Sequence, residues 1–156
     1  MKRTDPKWWK KVAAIYDSKK DDLNWKLRRR GVIHHHNGIC LQPVDLDKIG
    51  SDKDLLRLLH EQENQLTLSG MKHLGRIRPS MTGLDAGCGR GGSSLMIASK
   101  TGCRMTGINL SPYQVRTARR MAADRRLSAR VKFLQGNMLR FPFPEGGFDF
   151  IWACES

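Results

Sequence analysis

Apolar positions recur along this chain in two rhythms, and the rhythm changes near Thr82. Before that point the spacing is helical. Within residues 5–30, Trp8 and Trp9, Val12, and Ile15 and Tyr16 return every three to four residues among many Lys and Arg, as on one face of a helix. Such a helix packs on a larger domain, covers a pocket as a lid, or lies on a membrane surface. Residues 31–50 hold three consecutive histidines, Gly38 and Pro43, and read as irregular chain. Ser51 or Asp52 is placed to cap a long helix, whose Leu55, Leu56, Leu58, Leu59, Leu66, Met71 and Leu74 keep a roughly helical period to about Gly75. Arg76–Ser80 links this helix to the next unit.

From Thr82 the elements shorten and alternate. GLDAGCG is a short apolar strand ending in glycines, and GGSSLMIASKTG is a helix. RMTGINL is a second strand, and SPYQVRTARRMAADRRL a second helix with Ser111 as N-cap and Pro112 at its first position. VKFLQGN is a third strand and FDFIWACES a fourth, apolar on both faces as a buried parallel strand is. Strands alternating with helices through short connections predict an α/β fold, a parallel sheet with right-handed crossovers. The division expected is a helical extension or lid at 1–75 and a Rossmann-like core at 76–156.

The chemistry concentrates in Asp85-Ala86-Gly87-Cys88-Gly89-Arg90-Gly91-Gly92. Glycines after a strand let the chain turn sharply and bring backbone close to a ligand, and the helix after them offers unpaired N–H groups. Gly87, Gly89 and Gly92 satisfy G-x-G-x-x-G, a weak signal by itself for a dinucleotide. A dinucleotide site wants an acid at the end of the second strand to hold the ribose, and Asn109 stands there. Gly87, Gly89 and Gly91 equally satisfy G-x-G-x-G, with Asp85 two residues before the first glycine. The third strand then runs into Gly136-Asn137-Met138 and an apolar Phe141-Pro142-Phe143-Pro144 loop.

Composition narrows the picture. The 156 residues have 28 Lys and Arg against 15 Asp and Glu, a net charge of +13 and a pI near 10.1. Such a balance fits an anionic partner (nucleic acid, an acidic membrane surface or a phosphorylated small molecule) or simply a solvated basic surface. No run approaches the roughly 18 apolar residues of a spanning helix, and MKRTDPKWWKK does not read as a secretory leader. Cys40, Cys88, Cys103 and Cys154 are scattered without metal-ligand spacing, so reduced thiols in a cytoplasm are expected.

The glycine loop and the segments after it resemble the class I S-adenosylmethionine-dependent methyltransferases: DAGCGRG their first motif, GINLSPYQ the second-strand region, GNMLRFPF the adenine-covering segment, FDFIWACES the fourth strand. The resemblance implies a Rossmann-like class I methyltransferase fold with S-adenosylmethionine as cofactor. By position, Asp85, Gly87, Cys88 and Gly89 would line its methionine end, Asn109, Leu110 and Gln114 the ribose and adenine, and Asn137 and Met138 the adenine edge. Asn109 and Asn137 replace acids common in the family, and either amide still hydrogen-bonds.

For the acceptor, the adenine-methylating Asn/Asp-Pro-Pro-aromatic tetrapeptide is absent after the fourth strand, and Cys154 lacks the preceding proline of covalent base methylation, so nucleic acid is disfavoured. Glu155 would lie at the carboxyl end of the fourth strand, where open α/β sheets place their chemistry. A carboxylate there can stabilise a carbocation left by methylating an alkene and then remove a proton. His34-His35-His36-Asn37-Gly38-Ile39, GCGRGGS, LSPYQ, NML and WACES further resemble the geranyl diphosphate C-methyltransferases. That resemblance implies a phosphorylated, lipid-like acceptor bound by residues such as His35, His36 and Asn37, and Mg²⁺ carried on the substrate diphosphate with no protein metal site. Other lipid-like acceptors (a sterol or quinone precursor), an inactive cofactor-binding remnant and a basic nucleic-acid module are the competing readings. Since the chain ends with the fourth strand, the fold is expected to be truncated there, leaving an apolar edge across which a homo-oligomer could form.

Overall fold

The computed structural model describes residues 8–19, 34, 38–140 and 143–156. The histidine-rich segment predicted to meet the acceptor, His35, His36 and Asn37, lies outside the described residues.

Helix α1 spans Trp8–Ser18. Helix α2 spans Asp52–His73, and Ser51 caps it: its hydroxyl accepts the Asp54 N–H and donates to the Asp54 carboxylate at 2.6 Å. This reciprocal exchange satisfies a helix-end donor and explains why the helix starts where it does. Its last turn carries Lys72 and His73, complementing the negative end of the helix dipole.

Four strands come next, β1 (Thr82–Ala86), β2 (Arg104–Asn109), β3 (Val131–Gln135) and β4 (Phe150–Trp152), alternating with α3 (Gly92–Thr101) and α4 (Pro112–Asp124). All pairings are parallel and the order is β3-β2-β1-β4, so the chain crosses over from β3 to the far side of β1. This is the order of the first four strands of a doubly wound sheet. Ser111 caps α4 through the Gln114 N–H, and Pro112 opens it, where its missing N–H costs nothing.

The core lies on one face of the sheet. Met105, Val131, Phe133 and Trp152 point into it from the strands, and Leu95, Ile97, Val115, Ala118 and Met121 close it from α3 and α4. Helix α2 joins on the same side, where a Cβ on Gly70 would stand 2.4 Å from the Trp152 ring; only glycine lets helix and strand approach that closely. Gly91, the N-cap of α3, needs glycine for a different reason: its φ is +84° and a Cβ there would meet Phe133 at 2.4 Å.

The opposite face is covered unevenly. Leu84 and Ile108 are buried, whereas Leu134 is 38% and Ile151 58% exposed. Regular pairing of β4 is confined to three residues rather than FDFIWACES, and Ile151 is not buried as an apolar-on-both-faces strand predicts. The reason is geometric: Ile151 points to the face opposite the core cluster, which lies on the Trp152 side.

Candidate cofactor and acceptor cleft

A cleft of about 200 Å³ opens at the carboxyl ends of the strands, where open parallel sheets bind ligands. Its floor is the glycine loop. The N–H groups of Gly87 and Cys88 both donate to the Ile108 carbonyl, at 2.9 and 3.1 Å, which pins the loop to β2. The Gly91 N–H donates to the Cys88 carbonyl at 2.8 Å and starts α3 directly beneath.

Asp85 sits at the end of β1, 3% exposed, and accepts the Ser94 hydroxyl at 2.5 Å. Burial raises its pKa to about 6, against the Ser94 hydrogen bonds, which lower it. Burial likewise pushes the Cys88 thiol well up, and the nearby Asp85 charge adds to the effect. Cys154 is raised by burial first, then by Glu155 and Asp85. Neither thiol is poised as a nucleophile near neutral pH.

On the β2 side, the Asn109 amide donates to Gln114 Oε1 at 2.6 Å, and the Gln114 N–H is held by Ser111. Gln114 is 1% exposed, and its Nε2 has no hydrogen-bond partner among the described residues. A buried amide donor left unpaired costs about 1–3 kcal/mol, and it lines the cleft, so an acceptor atom on a ligand would satisfy it. Asn137 accepts the Leu139 N–H at 2.9 Å, a local turn that presents Met138 to the cleft. Glu155 stands at the rim just past β4, with φ +51°, a left-handed conformation that non-glycine residues rarely adopt. Asp85, Gly87, Cys88, Gly89, Asn109, Leu110, Gln114, Asn137, Met138 and Glu155 are thus brought together around one cavity.

Two groups of lining residues were not assigned to the site from sequence. Trp8, Val12 and Tyr16 reach the cleft from α1, four residues apart on one stripe; the spacing marked an apolar face without saying what it faced. His34 also lines it, 1% exposed. Its Nε2 lies 3.0 Å from Asn64 Oδ1 and its Nδ1 3.5 Å from Thr67 Oγ1, which is 3.2 Å from Ser93 Oγ. His34 is therefore engaged by α2 and the start of α3. Among the described residues no three His, Cys, Asp or Glu converge as metal ligands, and no helix is long and apolar enough to cross a membrane.

Comparison with known proteins agrees with this geometry. Residues 84–156 match the family model described as a methyltransferase domain. The chain is 35% identical over 150 residues to the geranyl diphosphate 2-C-methyltransferase of Saccharopolyspora erythraea, covering 93% of this chain and 52% of that protein. It superposes on the geranyl diphosphate C-methyltransferase of Streptomyces coelicolor, solved with Mg²⁺, geranyl-S-thiolodiphosphate and S-adenosyl-L-homocysteine, with a TM-score of 0.86 and 32% identity over 96% of this chain and 55% of that one. Over 80 residues it is 42% identical to a sterol 24-C-methyltransferase of Gibberella zeae, 51% of this chain and 21% of that protein. The chain spans about half the length of the geranyl diphosphate methyltransferases it matches. Its sheet order, glycine loop and carboxyl-end cleft give it the class I methyltransferase fold, and residues 84–156 match the methyltransferase domain model.

Proposed function

We propose that this chain forms the cofactor-binding part of an S-adenosylmethionine-dependent methyltransferase that methylates a carbon of a prenyl diphosphate. The observation that carries the cofactor assignment is the unpaired Gln114 amide, buried in the wall of a cleft floored by the glycine loop. Asp85 supplies the carboxylate for a cationic amino group, and Gln114 with Asn109 supplies the hydrogen bonds for ribose hydroxyls. Asn137 and Met138 form the adenine edge. When bound, S-adenosylmethionine supplies an electrophilic methyl group on a sulfonium.

Methyl transfer to an alkene carbon leaves a carbocation on the acceptor. Glu155, held in its left-handed conformation at the rim, places a carboxylate to stabilise that charge and to take the proton whose loss restores a double bond. Backbone conformations of this rarity cluster at active sites. The acceptor is phosphorylated and lipid-like: the relatives are named for geranyl diphosphate, and the +13 net charge favours an anion. Mg²⁺ enters with the diphosphate, which needs few protein carboxylates. Four free cysteines fit a reducing compartment such as the cytoplasm. On this reading residues 1–75 serve as extension and lid, and 76–156 as the cofactor core.

The test is calorimetric titration with S-adenosylhomocysteine, with Gln114→Leu as control, followed by methyl transfer to geranyl diphosphate and to geraniol. Losing the amide is expected to weaken binding about tenfold, and only the diphosphate is expected to be methylated. No binding by the folded chain overturns the cofactor assignment. Equal methylation of geraniol favours instead a lipid acceptor without phosphate, the reading that the likeness to sterol methyltransferases supports.

A further inference from the structure

Helix α1 carries a carboxylate in an unfavourable place. Asp17 lies in its last turn, where the helix dipole is negative and cations are preferred, and no basic residue occupies that turn. The placement makes sense only across the cleft. Asp17 Oδ1 accepts the Ser111 hydroxyl at 2.5 Å and the Tyr113 N–H at 3.1 Å, so it caps the positive end of α4 from outside that helix. Ser111 in turn holds the Gln114 N–H at 3.0 Å, and Gln114 accepts the Asn109 amide. A second tie lies beside it. The fully buried Arg90, from the glycine loop, donates to the Lys19 carbonyl just past the end of α1, where a cation suits the dipole.

Among the described residues, the packing of this helix is shallow. Eleven residues are marginal as an isolated helix, only Ala13 is buried, and Trp8 and Ile15 are 49% and 57% exposed. Yet Trp8, Val12 and Tyr16 line the cleft beside Asn109 and Gln114.

We propose that Asp17 is a positioning residue, the latch that holds α1 as a roof over the cofactor and ties the roof to the ribose-side pair Asn109 and Gln114. The inference rests on the cofactor reading above. Ligand entry and exit require the Asp17 bonds to Ser111 and Tyr113 to open, so the latch sets residence time more than it sets the fold.

The experiment pairs two readouts on the whole chain with Asp17→Ala and Asp17→Asn. Stopped-flow release of S-adenosylhomocysteine is expected to quicken about tenfold in Asp17→Ala. Asp17→Asn, which keeps an acceptor oxygen, should restore most of the residence time. Hydrogen exchange, which needs no ligand, should rise in residues 8–18 and at Tyr113 and Gln114, with β1 and β2 unchanged. An unchanged release rate, unchanged exchange, or exchange raised equally across the strands overturns the latch. If the wild-type chain binds no S-adenosylhomocysteine, the cofactor reading fails, and the exchange comparison alone decides whether Asp17 secures the helix.

Discussion

Asp85 is held in the native chain at an energetic cost that can be measured. Its ordinary pKa is 3.8, and burial raises it to about 6. The native state therefore keeps this proton more tightly than the unfolded chain does. The contribution to stability is fully present below pH 3.8 and is lost as pH rises through about 6. The step from 3.8 to about 6, at 1.36 kcal/mol per pH unit, amounts to ~3 kcal/mol of destabilisation at pH 8. Asp85→Asn keeps the shape and an oxygen for the Ser94 hydroxyl but carries no charge. It should be more stable than wild type by ~3 kcal/mol at pH 8, a rise in Tm of about 6–12 °C. At pH 5 the linkage relation leaves roughly half of that gap. Urea unfolding at both pH values, with unchanged m, measures it. A variant that is destabilised, or whose gain is the same at pH 5 and pH 8, would refute the reasoning. The same variant should bind S-adenosylhomocysteine poorly, so that stability and binding move in opposite directions.

The uneven cover of the sheet predicts unequal costs for similar truncations. Ile97→Ala, in the closed core, should cost about 2–5 kcal/mol in urea unfolding, whereas Ile151→Ala, 58% exposed, should stay within ~1 kcal/mol. Gly91→Ala combines a forced left-handed alanine with a Cβ 2.4 Å from Phe133, and should lower stability by about 3 kcal/mol in the same assay.

The parts of this fold that local chemistry dictates could be read from the residues. Ser111, Pro112 and Ser51 mark helix starts because the donors they satisfy or spare are one turn away. The glycine loop announces itself because Gly91 requires a left-handed backbone. The parallel order comes from alternation and short connections, since crossovers are right-handed. The features that could not be read depend on partners distant along the chain. Ile151 looks like core in FDFIWACES, and only the placement of the core cluster on the Trp152 side decides otherwise. His34 is one of three identical neighbours, and no periodicity singles out the member that meets Asn64 and Thr67. Asp17 reads as an ordinary solvated acid on a charged helix; its role rests on Ser111, 94 residues away. Gln114 was legible as a site residue by resemblance, but its unpaired amide needed the packing of α4 to be seen.

The contact between Gly70 and the Trp152 ring has a consequence for the order of assembly. Helix α2 has its cap, its length and its charge pattern within residues 51–73, so it can form early and locally. Part of its seat arrives late: Thr67 meets Ser93 at the start of α3, but Trp152 reaches the sheet only when β4 pairs with β1, across the whole intervening βαβαβ run. Closing so long a loop is entropically slow, and it places β1, the centre of the sheet, among the last strands to gain both neighbours. During synthesis from the N-terminus, α2 is therefore a helix waiting for its groove. Until Trp152 emerges, the close approach at Gly70 has no partner, and that stretch of the helix stays uncovered.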